Sequence, residues 1–265
     1  MSGRLAVLGS PIAHSRSPLL HAAAAEVLGL DWAYERIEAT ENTLPALLAG
    51  LGPEWVGLSL TMPLKRAVLP LIRRHDPLVD RLGLANTVRL GQQPRLANTD
   101  VGGIEAVLRS EAGAARALVL GGGATAASAL EALGRLGVRE RGVAARRPEV
   151  ARQQLAGLAE RFVPLREADP AAVDLVVSTL PGDAEVGLAL PAAVGGTPLL
   201  DVAYSPWPTA LGARWLAAGG RLLHGLDMLV EQAVLQVRVF TDADPDAPLP
   251  REAAVRAAMR AAVGR

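Results

Sequence analysis

Residues Ala117 to Leu120 read ALVL, and GGGATAASAL follows without a break. An apolar run of strand length that ends in three glycines and passes straight into an Ala-rich helical pattern leaves the backbone few choices. The glycines let the chain turn tightly at the strand's carboxyl end, and the N-terminal N–H groups of the helix then face whatever lies beyond it. The helix is expected through Leu136 with Gly137 as its stop, followed by a strand at Gly142 to Arg146. Further strands fit Asp174 to Thr179, Leu199 to Ala203 and Arg221 to Leu223. That succession is a compact Rossmann-like unit.

The hundred residues before it carry a second succession. A strand fits Arg4 to Ser10. A helix follows with Ser17 as its cap, Pro18 in its first position and Leu19, Leu20, Ala23, Ala24, Val27 and Leu28 on one face until Gly29. Next come a strand at Trp32 to Ala39, a helix at Thr43 to Leu51, a strand at Val56 to Thr61, and a helix opened by Pro63 and running to about Arg73. Short strands fit Asn86 to Leu90 and Arg95 to Asn98, and a helix fits Ile104 to Ser110. The polar piece Ser110 to Ala115 looks like a boundary. The last forty residues read as helices at Leu226 to Thr241 and Arg251 to Val263, separated by the turn-rich DADPDAPLP and expected to pack back on the first domain. No tandem repeat is visible. The fold class expected is α/β with two domains, 1–103 plus 226–265 for substrate and 104–225 for a dinucleotide.

Composition narrows the partners. Half of the 265 residues are hydrophobic and 20% are charged, enough to bury two cores. Lys plus Arg and Asp plus Glu number 27 each, so the basic field of a general nucleic-acid binder is absent. The chain has no cysteine, which excludes disulfides and thiolate metal sites. The apolar run near the start is broken by Gly9 and Pro11, unlike a signal peptide, and no stretch reaches the length of a membrane span. A cytoplasmic protein with small-molecule partners, monomeric or homodimeric, is expected.

At the glycine turn, Gly121 and Gly123 take the first two places of the dinucleotide fingerprint, and Ala126 takes the third, where the need is close helix packing. Gly122, Ala124 and Thr125 complete the loop that would cradle a pyrophosphate. Taken alone, this could be an ordinary turn; its β-α-β setting favours the nucleotide. About twenty residues on, an NAD site places an acid for the ribose hydroxyls. Here that place holds Ala145-Arg146-Arg147-Pro148. Two guanidinium groups suit a 2′-phosphate through bidentate charge-assisted bonds, so NADP is expected, with a solvated basic loop, or Glu149 turned toward a ribose, as the alternatives.

Five separated segments carry a family resemblance. Gly9-Ser10-Pro11-Ile12-Ala13-His14-Ser15-Arg16-Ser17-Pro18 resembles the opening G-x-P-I-x-H-S-x-S-P of shikimate dehydrogenases, and Leu58-Ser59-Leu60-Thr61-Met62-Pro63-Leu64-Lys65 resembles their strand-to-helix catalytic segment. Asn86-Thr87 and Asn98-Thr99-Asp100-Val101-Gly102 match two more, and Gly225-Leu226-Asp227-Met228-Leu229-Val230-Glu231-Gln232 matches the late G-x-x-M-L-x-x-Q. The set spans about residues 4 to 236 in the family's order. Departures fall mainly in the nucleotide loop, where Ala124 and Ala127 stand at a family glycine and a basic residue, and on the second strand, where Ala145-Arg146-Arg147 replaces N-R-T. Ala22 stands where the first helix often has Asn.

The resemblance implies reversible NADP-dependent hydride transfer between shikimate and 3-dehydroshikimate, a step of aromatic amino acid biosynthesis. Independently of that, oxidising a secondary alcohol needs a hydride acceptor and a group that takes the hydroxyl proton. Lys65 and Asp100 are the candidates, although by local pattern the first could be a solvated helix charge and the second a helix cap. By resemblance Lys65 transfers the proton and Asp100 is its partner and a substrate ligand. Ser15 and Ser17 then hold the carboxylate, Thr61, Asn86, Asp100 and Gln232 the ring hydroxyls, and Tyr204 lies on the substrate side. Gly121, Gly122, Gly123, Ala124, Thr125, Arg146, Arg147, Val202 and Gly225 face the cofactor. Local patterns alone allow a core aromatic at Tyr204 and a helix-surface amide at Gln232. His14, His21, His75 and His224 have no ligand spacing, so no metal is expected. A quinate or aminoshikimate dehydrogenase on the same fold, and a regulatory protein that binds shikimate or NADP without turnover, remain the rivals.

Overall fold

The computed structural model describes residues 3–184, 187–190, 193–242 and 247–265. The chain divides into two compact units, Met1–Thr99 with Leu229–Arg265, and Asp100–Met228. In the first, β1 (Gly3–Gly9), α1 (Ser17–Leu28), β2 (Trp32–Glu38), α2 (Leu44–Ala49), β3 (Trp55–Leu60), α3 (Leu64–Ala67), β4 (Arg74–His75), α4 (Pro77–Leu82), β5 (Thr87–Arg89) and β6 (Arg95–Ala97) follow in chain order. They form one sheet of order β2-β1-β3-β5-β6-β4. β1 is parallel to β2 and β3, while β5 is antiparallel to both β3 and β6.

Leu5, Ala6, Val7 and Leu8 of β1 are all buried, the continuous apolar run of a strand covered on both faces. Leu8, Leu44, Leu58, Leu60, Leu64, Val88 and Leu96 share one core beneath the sheet. The helix expected from Pro63 to Arg73 is cut short. α3 closes at Ala67, and Leu69–Leu71 form a separate 3-10 turn, because Pro70 has no N–H to continue the ladder. β4 and α4 are additions to the expected elements.

The second unit contains α5 (Asp100–Leu108), β7 (Arg116–Leu120), α6 (Ala124–Arg135), β8 (Glu140–Ala145), α7 (Pro148–Gln154), β9 (Arg161–Pro164), β10 (Leu175–Ser178), β11 (Pro198–Asp201), α8 (Ala210–Ala217) and β12 (Arg221–His224). Its six strands are all parallel, in the order β12-β11-β10-β7-β8-β9. From β7 the chain winds outward through β8 and β9, then returns to β10 and winds the other way. The crevice beyond the carboxyl ends of β7 and β10, where the order reverses, is where doubly wound sheets take their ligands.

α9 (Gly225–Phe240) begins in the second unit and ends in the first, and α10 (Glu252–Ala262) packs on α1. Arg238 grips Glu252 through Nε and Nη2 at 2.9 Å each. Arg256 reaches both Glu231 at 2.9 Å and Glu252 at 3.2 Å, so the two helices are laced by ion pairs. The expected return of the last helices to the first domain is therefore observed; residues 243–246 of the turn between them lie outside the described residues. Among the described residues no helix is long and apolar enough to cross a membrane.

Candidate active site

Two serines open the site in the first unit. Ser15 and Ser17 are both buried, and the Ser15 hydroxyl lies 3.3 Å from the Ser17 hydroxyl and accepts from the Ser17 N–H at 3.3 Å. Ser17 was expected to cap α1. The cap position is instead Arg16, with no side-chain cap bond, and Ser17 is the first helical residue with its hydroxyl turned into a buried polar network. The nearest member of that network is Tyr34 of β2, whose phenol bonds to both Ser17 and Ser59.

Three side chains from distant stretches meet around Asn86. The Thr99 N–H donates to Asn86 Oδ1 at 2.8 Å and the Thr87 hydroxyl donates to the same oxygen at 2.9 Å. That settles which way the amide points. Its Nδ2 therefore donates to Thr99 Oγ1 at 2.9 Å and to Gln232 Oε1 at 3.3 Å, while Gln232 Nε2 donates to the Leu229 carbonyl at 2.8 Å. Gln232 is buried, not a helix-surface amide. Thr61 lies in the turn between β3 and α3, and Lys65 in the first turn of α3. The Leu64 N–H donates to the Thr61 carbonyl at 2.8 Å, the Ala85 N–H to the Lys65 carbonyl at 2.9 Å, and the Leu60 N–H to the Asn86 carbonyl at 2.7 Å. Those bonds hold the backbones of Thr61, Lys65 and Asn86 side by side, with Lys65 half-buried. Asp100, buried, is the first residue of α5, one peptide bond beyond Thr99.

Sequence reasoning did not assign Tyr34, Ser59, Thr99 or Gln236 to this site. One signal was available: Gln232 and Gln236 are spaced four apart and so share one face of α9. His21 lies beneath Ser17, stacked on Tyr34 with ring centroids 4.2 Å apart, its Nδ1 2.9 Å from the Ser17 carbonyl. A carbonyl only accepts, so Nδ1 carries the proton. Burial pushes the His21 pKa down to about 4, against the bond to Ser17. His14 is exposed and His75 pairs with Asp80 at 2.8 Å. Among the described residues no group of three or more His, Cys, Asp or Glu could hold a metal ion.

In the second unit the glycine turn sits at the carboxyl end of β7. Gly121 has φ +116°, and a Cβ there would strike Thr179 Oγ1, which donates to the Leu120 carbonyl at 2.9 Å. Gly122 is half-buried. A Cβ on Gly123 would meet nothing within 4 Å. The start of α6, with Ala124 and Thr125 in its first turn, is therefore open to a phosphate. Arg146 and Arg147 follow β8 and are exposed, with no carboxylate partner among the described residues. Glu149 pairs instead with Arg152 at 3.5 Å.

Val202, Tyr204 and Gly225 gather at the carboxyl ends of β11 and β12. The Val202 N–H donates to the Ser178 carbonyl at 3.0 Å, and only glycine fits at position 225, because a Cβ would lie 2.5 Å from the Val202 carbonyl oxygen. Asp201 anchors this turn, accepting from Thr209 Oγ1 at 2.5 Å and the Ala203 N–H at 3.3 Å. Burial pushes its carboxyl above the ordinary range, and those hydrogen bonds draw it back. Trp207 stacks on His224, centroids 3.5 Å apart, and Tyr204 is half-buried.

Comparison with known proteins finds family matches toward both ends of the chain. Residues 7–88 match the family model described as the shikimate dehydrogenase substrate binding domain, and residues 225–263 match the shikimate 5′-dehydrogenase C-terminal domain. The shikimate dehydrogenase (NADP+) of Citrifermentans bemidjiense is 38% identical over 260 residues, 90% of each chain. Among solved structures, shikimate dehydrogenase from Mycobacterium tuberculosis is 42% identical with a TM-score of 0.81, covering 98% of this chain and 99% of that one. The Thermus thermophilus enzyme, in complex with NADP(H) and shikimate, is 31% identical with a TM-score of 0.82, covering 98% and 99%. With its opening serine motif, its lysine segment and its late glutamine all in the family's order, the chain belongs to the shikimate dehydrogenase family.

Proposed function

We propose that this chain interconverts the ring hydroxyl of shikimate and the ketone of 3-dehydroshikimate, with NADP as the hydride carrier. The observation that carries this reading is the buried cluster of Asn86, Thr99 and Gln232 beside the Thr61–Lys65 turn, in the same unit as two buried serine hydroxyls. Shikimate has one carboxylate and three hydroxyls, and it suits a site made of short hydrogen-bonding side chains. A polyol lacking one of these groups would leave a buried partner unsatisfied. Ser15 and Ser17 take the carboxylate, and Thr61, Asn86 and Gln232 take ring hydroxyls, with Tyr204 on the substrate side. Oxidation removes a hydride from the ring carbon and a proton from its hydroxyl. Lys65 takes that proton at Nζ and returns it in reduction, and Asp100 serves as its carboxylate partner and as a further hydroxyl ligand.

The residues present fit NADP: an open helix start after Gly121, Gly122 and Gly123, and guanidinium groups at Arg146 and Arg147 that have no carboxylate partner among the described residues. When bound, NADP supplies the hydride acceptor or donor. Residues 104–225 are then the dinucleotide domain, and 1–103 with 226–265 the substrate domain. A cytoplasmic monomer or homodimer completes the proposal. The test is a steady-state matrix of shikimate and quinate against NADP and NAD, in which kcat/KM should be highest for shikimate with NADP. Preference for quinate would move the chain to that rival, and binding without turnover would make it a regulatory protein.

A further inference from the structure

Ser59 and Gln236 lie wholly inside the first unit, at 4% and 2% exposure, and the proposed reaction gives neither a task. Together with Tyr34 they form one continuous chain of hydrogen bonds. Tyr34 donates to Ser59 at 2.6 Å, Ser59 donates to Gln236 Oε1 at 2.9 Å, and Gln236 Nε2 donates to Thr87 Oγ1 at 3.0 Å and to the Asn86 carbonyl at 3.1 Å. One end of this chain is Ser17 and the other is Asn86.

The polarity of the chain follows from one group. The Asn86 carbonyl can only accept, so the end of Gln236 that faces it is the amide nitrogen and the end that faces Ser59 is the oxygen. Ser59 must then give its single proton to Gln236, which leaves it an acceptor for Tyr34. Tyr34 must give its single proton to Ser59, which leaves its oxygen able only to accept from Ser17. Burial pushes the Tyr34 phenol above its ordinary pKa, so its proton stays in place. In the other direction Thr87, accepting from Gln236, gives its proton to Asn86 Oδ1, which leaves Asn86 Nδ2 as the donor end, bonded to Thr99 Oγ1 and Gln232 Oε1. Ser17 thus gives its single proton to Tyr34 until an incoming carboxylate draws it away, and Asn86 keeps its amide nitrogen as the donor.

We infer that Tyr34, Ser59 and Gln236 are positioning residues, which hold through this chain the side chains of Ser17 at the carboxylate end and of Asn86 at the hydroxyl end of the shikimate site. The inference rests on the proposed reading of Ser17 and Asn86 as substrate ligands. It is tested by steady-state kinetics on Tyr34→Phe, Gln236→Leu, their double variant and, as a control on the reading itself, Ser17→Ala. Each of the first two should raise the shikimate KM about five- to tenfold, the equivalent of roughly one net hydrogen bond, with kcat and the NADP KM essentially unchanged. The double variant should raise it by clearly less than the product of the two, since one break already releases the chain. A double-variant effect equal to the product of the two single effects, or unchanged KM in both singles while Ser17→Ala raises it, overturns the inference and leaves the site reading standing. An unchanged KM in Ser17→Ala overturns both. If Gln236→Leu does not fold, Ser59→Ala breaks the same chain at its middle and takes its place under the same criteria.

Discussion

Replacing Gly121 with alanine isolates the physics of the nucleotide turn. At φ +116° an L-residue is strained, at a cost of about 1–3 kcal/mol. The added Cβ also collides with Thr179 Oγ1, which must rotate and give up its 2.9 Å bond to the Leu120 carbonyl, a further 0.5–1.5 kcal/mol or so. The sum is a loss of about 2–4 kcal/mol, readable as a fall in the urea midpoint at unchanged m-value. The two parts separate in a Thr179→Ala background. The oxygen is gone there, so Gly121→Ala should cost only the backbone share, and the double variant should be more stable than the sum of the singles predicts. Gly123→Ala is the contrast, because its Cβ would meet nothing within 4 Å. It should leave stability within about 0.5 kcal/mol while weakening NADP by placing a methyl where the pyrophosphate is proposed to approach. If Gly121→Ala unfolds within about 0.5 kcal/mol of the parent, or costs the same with and without the Thr179 side chain, the reasoning is wrong.

Lys65→Ala should lower kcat by about a hundredfold or more while changing the shikimate KM far less, the signature of a lost proton-transfer group; near-normal turnover refutes the assignment. Arg146→Ala should raise the NADP KM roughly tenfold or more and the NAD KM little, and equal losses on both cofactors would remove the phosphate clamp. His21 makes a pH prediction. Its folded pKa of about 4 lies below the unfolded value of 6.5, so its contribution is fully present above pH 6.5 and is lost as pH falls toward 4, to a total of roughly 3 kcal/mol. His21→Phe keeps a ring against Tyr34 without the titration, so its stability should fall less steeply over that range than the parent's. Identical slopes in urea-unfolding measurements would assign the acid loss elsewhere.

What the sequence made legible is what local periodicity encodes. β1, β3, β7 and the glycine turn are continuous apolar runs with sharp stops, and their positions follow from a window of ten residues. Elements whose signal is shorter or mixed were missed. β4 is two residues long, β9 reads RFVP with no alternation, and α7 opens at Pro148 directly after Arg146-Arg147, a stretch that reads as a loop. α5 was expected to start at Ile104 and starts at Asp100. Gly102 and Gly103 suppress its propensity, but packing against α6 outweighs them. In the candidate site, Ser15, Ser17, Asn86 and Gln232 stood out because motifs flag them. Ser59 and Gln236 did not, because their meaning lies in a bond between residues 177 positions apart, which no local pattern records.

That separation has a consequence for synthesis. The first unit is not one stretch of chain: Thr99 and Leu229 flank the whole of the second unit, and Gln236 and Gln232, which bond Ser59 and Asn86, lie beyond it. On a ribosome, the part of the first unit that ends at Thr99 emerges with Ser59 and Asn86 still lacking Gln236 and Gln232, and Asp100–Met228 then emerges with its six parallel strands. The nucleotide half is thus able to mature while the substrate half is still waiting for its last helices. A stalled or truncated product ending before Gln232 would carry an intact dinucleotide fold beside a half-built pocket, and it is this species that quality control would meet.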